Sequence, residues 1–193
     1  MGRGAVAARR NEDQQTADLW IVRRDVRVDR LTSGDGHKSA PVWSPDGSRI
    51  AYLIRNARTG VNDLAVQPAS AGARPITLLR NSFAKHPTDL VSRRRFLLFH
   101  SNSSDESTHN DLWAINTDGP PAGAPAVQTV STESYGAISP DGTWLAYRSD
   151  ESGRNEVLCT GLPARAGGDA PAVANFEGRG ALARWRGDGK DLY

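Results

Sequence analysis

The sequence is poor in most features that mark small secreted or membrane-bound proteins. It has one cysteine, Cys159, which excludes an internal disulfide framework and any multi-cysteine zinc site. No apolar run comes near the roughly 18 residues that a membrane-spanning helix needs. The first fifteen residues carry arginines but no apolar core, so no signal peptide is expected in the chain as it stands. An excess of one charge is also missing: 24 basic residues face 22 acidic ones, for a net charge of +2. The densest basic run, Arg93-Arg94-Arg95, is too short for a nucleic-acid footprint, and a solvated turn is the expected reading. Lysine occurs only at Lys38, Lys85 and Lys190, which reads as coding bias.

Glycine and proline are plentiful, with 19 and 11 residues in 193. That favours many turns over long helices, and no stretch of ten or more residues has the 3.6-residue apolar period of a helix. The turns repeat. Ser44-Pro45-Asp46-Gly47 recurs as Ser139-Pro140-Asp141-Gly142. Half-way between lies Ser92-Arg93-Arg94-Arg95, and one step beyond the second copy comes Arg186-Gly187-Asp188-Gly189. Starts at 44, 92, 139 and 186 give spacings of 48, 47 and 47. In the tetrapeptide, proline presets φ for the first turn position, aspartate tolerates the second, and glycine takes the left-handed position that follows. Such a turn closes a β-hairpin.

The flanks repeat as well. Ile50-Ala51-Tyr52, Leu97-Leu98-Phe99, Leu145-Ala146-Tyr147 and Leu192-Tyr193 follow the turns. A second strand family begins at Asp18-Leu19-Trp20, Asp63-Leu64-Ala65, Asp111-Leu112-Trp113 and Glu156-Val157-Leu158. A third, short β-prone segment covers Arg30-Leu31-Thr32, Ile76-Thr77-Leu78-Leu79, Val127-Gln128-Thr129-Val130 and Val173-Ala174-Asn175-Phe176. Each period therefore holds four short strands. Several are apolar on both faces, so their sheets must be covered on both sides. Periods of 40–50 residues with four strands each predict an all-β fold of β-propeller blades.

The motif Asp18-Leu19-Trp20, Leu31-Thr32, Pro41-Val42-Trp43-Ser44-Pro45-Asp46-Gly47, Ile50-Ala51-Tyr52 resembles the WD40-like repeats of TolB and its relatives. The stretch Ser149-Asp150-Glu151-Ser152-Gly153-Arg154-Asn155-Glu156-Val157 is similar to propellers fused behind bacterial serine/threonine protein kinase domains. Similar repeats also occur in the gating propellers of prolyl-oligopeptidase-like enzymes. The resemblance covers residues 18–193, with 1–17 expected as a disordered lead-in. It implies a non-catalytic module that binds a protein or peptide, either TolB-like or the sensor region of a kinase-linked protein. The alternative is the gating propeller of a serine peptidase whose catalytic domain lies outside this chain. The family's relatives are often periplasmic or extracytoplasmic.

The sequence itself offers little chemistry. It has no nucleophile elbow, phosphate-loop lysine motif, zinc-protease motif or kinase motif set, so no catalytic residue and no cofactor is expected. Gly34-Asp35-Gly36-His37-Lys38-Ser39 lacks the helix that a phosphate loop feeds. His37 and His86 precede equivalent strands; they are read as polar loop histidines in preference to a paired-imidazole metal site. The polar loop from Ser101 to Asp111 lacks the spacing of a calcium loop and is read as solvated. Cys159 is expected as a buried thiol, and Trp20, Trp43, Trp113 and Trp185 as core. The residues singled out are therefore structural: Ser44, Pro45, Asp46, Gly47, Ser139, Pro140, Asp141, Gly142, Asp188 and Gly189, with Ser92-Arg93-Arg94-Arg95 expected to close its hairpin differently. Four blades' worth of strands, beginning and ending mid-blade, could close as a four-bladed ring by pairing the two end halves, with part of a ring of six or more blades the preferred expectation.

Overall fold

The computed structural model describes residues 6–11, 16–23, 25–56, 58–81, 83–91, 95–102, 109–120, 122–162, 174–176 and 182–193. Among them every regular element is a β-strand. Val6–Asn11 (β1), Ala17–Val22 (β2) and Val28–Arg30 (β3) come first, with β2 flanked by β1 and β3, both antiparallel. His37–Trp43 (β4), Arg49–Arg55 (β5), Asn62–Pro68 (β6) and Ile76–Asn81 (β7) follow as an antiparallel meander. One parallel pairing, Ala17 with His37, links β2 to β4. Strands β1 to β7 make one seven-stranded sheet, and Lys85–Val91 (β8), Phe96–Ser101 (β9), Asp111–Asn116 (β10) and Gly123–Val127 (β11) form a second sheet, of four strands. Ser134–Ile138 (β12), Trp144–Ser149 (β13), Glu156–Gly161 (β14) and Ala174–Phe176 (β15) form the third. The last hairpin is marked by an antiparallel bridge from Trp185 to Leu192. The chain divides into two compact units, Met1–Leu97 with Ile115–Ala122 and Leu98–Ala114 with Gly123–Tyr193.

Burial follows the repeat. Ile50-Ala51-Tyr52, Leu64-Ala65-Val66, Leu97-Leu98-Phe99, Leu145-Ala146-Tyr147 and Val157-Leu158-Cys159 are all buried triplets. Three consecutive buried residues place both faces of each strand against apolar cover, as the patterning requires. In the first unit Leu19, Ile21, Leu31, Ile50, Tyr52 and Ala65 form one cluster, with half-buried Trp43 and Ile54 against it. The Tyr52 hydroxyl donates to Gln67 Oε1 at 2.6 Å, and Gln67 Nε2 donates to the Leu31 carbonyl. Those bonds satisfy the polar atoms that an aromatic of this kind carries into a core. In the second unit Ala146, Val157, Cys159 and Ala183 cluster with half-buried Trp185 and Leu192.

The structure adds two details to the expected strands. Val6–Asn11 lies within the stretch expected as a lead-in, yet pairs with β2 along its whole length. The first outer strand ends earlier than the Leu-Thr pattern suggests, with β3 closing at Arg30. Beyond it, the amides of Leu31 and Thr32 both donate to the Leu19 carbonyl, which breaks the regular ladder. Ser92, Arg93, Arg94, Val173 and Ser103–Thr108 lie outside the described residues.

Candidate functional site

The turn residues hold their hairpins by a repeated network. Ser44 N donates to Arg49 O, Gly47 N donates to Ser44 O, and Ser44 Oγ donates to Asp46 Oδ1 at 2.6 Å. Ser139, Gly142 and Asp141 repeat this pattern, with Ser139 Oγ donating to Asp141 Oδ1 at 2.5 Å. In the fourth copy Gly189 N donates to Arg186 O, and the Arg186 guanidinium replaces the serine hydroxyl on Asp188. Asp46, Pro45 and Pro140 stand exposed at the tips, where they fix loop shape.

Strained backbone also occurs inside strands. The strand that leads into each of two repeat turns carries a β-bulge, between Ser39 and Val42 in β4 and between Ser134 and Ala137 in β12. At its heart stands a non-glycine residue with positive φ, Ala40 at 49° and Tyr135 at 54°. For an aromatic side chain that conformation costs about 1–3 kcal/mol, and such outliers cluster at functional sites. A bulge re-aims side chains. The half-buried Tyr135 ring meets His100 edge-on, with centroids 5.2 Å apart, and carries the Arg148 guanidinium 5.5 Å from its ring centre. Arg148 Nε is buried with no hydrogen-bond partner. Next to Tyr135, Gly136 permits close approach: a Cβ there would stand 2.5 Å from Leu98 Cδ2.

One residue before β12 begins a set of buried carboxylates. Glu133 and Asp111 are both 0% exposed. Thr129 Oγ1 donates to Glu133 Oε1, and Gln128 Nε2 donates to Asp111 Oδ2. Burial pushes the Glu133 carboxyl above its usual range, and the negative charges of Asp111 and Asp150 push the same way. The amide of Thr132 holds Asp150 below its usual range.

The other residues considered from sequence fall outside this site. Cys159 is buried, with burial pushing its thiol up to about 11. His37 opens β4 half-buried opposite Arg55, and His86 is exposed on β8; both lie in strands, not loops. Trp20, Trp43, Trp113 and Trp185 are half-buried at the margins of the core, and Trp185 Nε1 donates to the Ala137 carbonyl. No described helix is long and apolar enough to cross a membrane. Sequence reasoning missed Tyr135, Glu133 and Arg148. The usable signal was their register: Tyr135 and Ala40 each stand four residues before a turn serine.

No family model and no curated protein sequence matches the chain; solved structures do. The chain is similar to TolB from Acinetobacter baumannii, at 17% identity and a TM-score of 0.75 over 98% of this chain and 46% of that one. It is similar to oligogalacturonate lyase from Vibrio parahaemolyticus, at 12% identity and 0.65 over 100% and 59%. It is also similar to prolyl oligopeptidase B from Galerina marginata, at 10% identity and 0.60 over 88% and 26%. The chain thus spans less than two thirds of each of these proteins. At these identities the likeness establishes the fold: the chain is all-β, built of the four-stranded blades of a TolB-like β-propeller.

Proposed function

We propose that the chain is a non-catalytic binding module for a protein or peptide, either TolB-like or the sensor region of a kinase-linked protein. The observation that carries this reading is the Tyr135 bulge. An aromatic ring held at φ 54°, half-buried between His100 and Arg148, is a rigid anchor with cationic support. Aromatic residues and arginine are the side chains that dominate protein interfaces. The likeness to TolB supports the module type, and the turn residues Ser44–Gly47, Ser139–Gly142, Asp188 and Gly189 serve it as scaffold.

A pull-down from envelope and cytosol fractions of the native cell, run beside Tyr135→Gly and Arg148→Ala, tests the reading. A partner retained by the wild type and lost from both variants supports it. Identical retention by all three overturns the assigned site, and peptide hydrolysis or phosphoryl transfer by the isolated chain overturns the non-catalytic assignment. The second reading, a gating propeller of a peptidase, has support from the likeness to prolyl oligopeptidase B. A serine-hydrolase domain encoded in the same reading frame would favour it.

A further inference from the structure

The repeat supplies its own control for the buried carboxylates. In the first copy Asp18 accepts from Arg30 at 2.5 Å and lies 3.2 Å from Lys38 Nζ, with the lysine only 3% exposed. In the second, Asp63 pairs with Arg80 at 2.9 Å, and its charge acts on Lys85, which is 4% exposed. Lys38 and Lys85 are equivalent: each donates its Nζ to the carbonyl four residues earlier, Gly34 and Asn81. In the third copy the aspartate is Asp111, the arginine position is Gln128, and the lysine position is Glu133. Two cations beside one carboxylate have become two carboxylates beside an amide.

Each of those two carboxylates has one oxygen held and one free. Asp111 Oδ1 and Glu133 Oε2 are buried without any hydrogen-bond partner. Two uncompensated anions out of water are far costlier than a neutral pair, and among the described residues Glu133 stands where the other copies place a lysine ammonium. We propose that Asp111 and Glu133 form a binding site for a hard divalent cation, which takes the place of that ammonium. Oxygen donors and a charge of −2 suit calcium or magnesium, whose shells are completed by backbone oxygens and water. The described residues contain no group of three or more His, Cys, Asp and Glu side chains around one point, which argues against a zinc-type site.

Thermal unfolding of the chelator-washed full chain, with calcium or magnesium added separately, provides the test. At a hundred-fold excess over the dissociation constant the wild type should gain about 5–10 °C. Glu133→Gln and Asp111→Asn should lose that gain. Glu133→Lys restores the lysine of the first two copies; it should melt higher than the wild type without metal and ignore added metal. No shift with either ion up to about 10 mM, above the weakest calcium modules, would overturn the site, as would an equal shift in wild type and Glu133→Gln.

Discussion

In three of the four hairpins the residue that closes the turn is a glycine with positive φ, 71° at Gly47, 79° at Gly142 and 75° at Gly189; in the second it is Arg95, at 55°. At the closing position the difference is one of residue type, with a similar φ; Ser92, Arg93 and Arg94 lie outside the described residues. Holding a side-chain residue in the left-handed region costs about 1–2 kcal/mol. Glycine removes that strain but gives the unfolded chain extra freedom worth about 0.5–1 kcal/mol. The Arg95–Asp118 ion pair lost with the side chain spans 3.4 Å and is 72% exposed on the arginine side, so it contributes little. Asp118 also keeps Arg49 at 2.9 Å. Arg95→Gly should therefore stabilise the fold by about 0.5–1 kcal/mol, a rise of roughly 1–4 °C in melting temperature for a chain this long. Arg95→Ala separates strain from charge: it loses the ion pair, keeps the strain and should not melt higher. Calorimetry of the three proteins decides. A lower melting temperature for Arg95→Gly, or an equal gain in Arg95→Ala, would refute the strain argument.

Thr32→Val should cost about 1–3 kcal/mol, because Thr32 Oγ1 donates to buried Asp18 at 2.7 Å and accepts from the Leu19 amide; a denaturant midpoint equal to wild type would count against it. Cys159, 2% exposed with its thiol held near 11, should resist a thiol reagent in the native protein and react on unfolding; prompt native labelling contradicts its burial. For Glu133 the pH dependence runs opposite to most carboxylates. Its folded pKa is raised above 4.5, so its protonated form favours the fold, and the stability it contributes is lost as pH rises through the folded value. In chelator, the advantage of Glu133→Gln over wild type should grow from pH 4.5 to pH 8; a constant difference would contradict the raised carboxyl.

Much of the fold was legible in the sequence. The period located the hairpins at 44–47, 139–142 and 186–189, because turn residues such as aspartate and glycine act on the backbone within four residues. The buried triplets were legible because two-sided cover demands continuous apolar runs. Strand β1 was not, since Val6–Asn11 carries neither turn signal nor repeat, and its pairing depends on the free edge of β2. The early end of β3 depends on two amides sharing the Leu19 carbonyl, which no local pattern announces. Tyr135 escaped notice for a related reason: the residue itself is ordinary, and only the bulge makes it strained.

The charge inversion in the third copy is hard to read as drift. Losing one cation from the Asp18-type triad would leave a buried anion uncompensated, a change that costs several kcal/mol when a buried pair is broken. The third copy has lost both, and has gained a second anion at the lysine position. Apolar replacement would have been the cheaper repair, since hydrophobic substitutes for buried ion pairs are often neutral or stabilising. The chain instead retains Asp111, adds Glu133 and sets the strained Tyr135 two residues further along. Two departures in one short segment, Gln128 for the arginine and Glu133 for the lysine, call for a common compensation, which the proposed cation would supply. The positive φ at Tyr135 is shared with Ala40, so what is particular to the third copy there is the aromatic ring, the group that the proposed partner would engage.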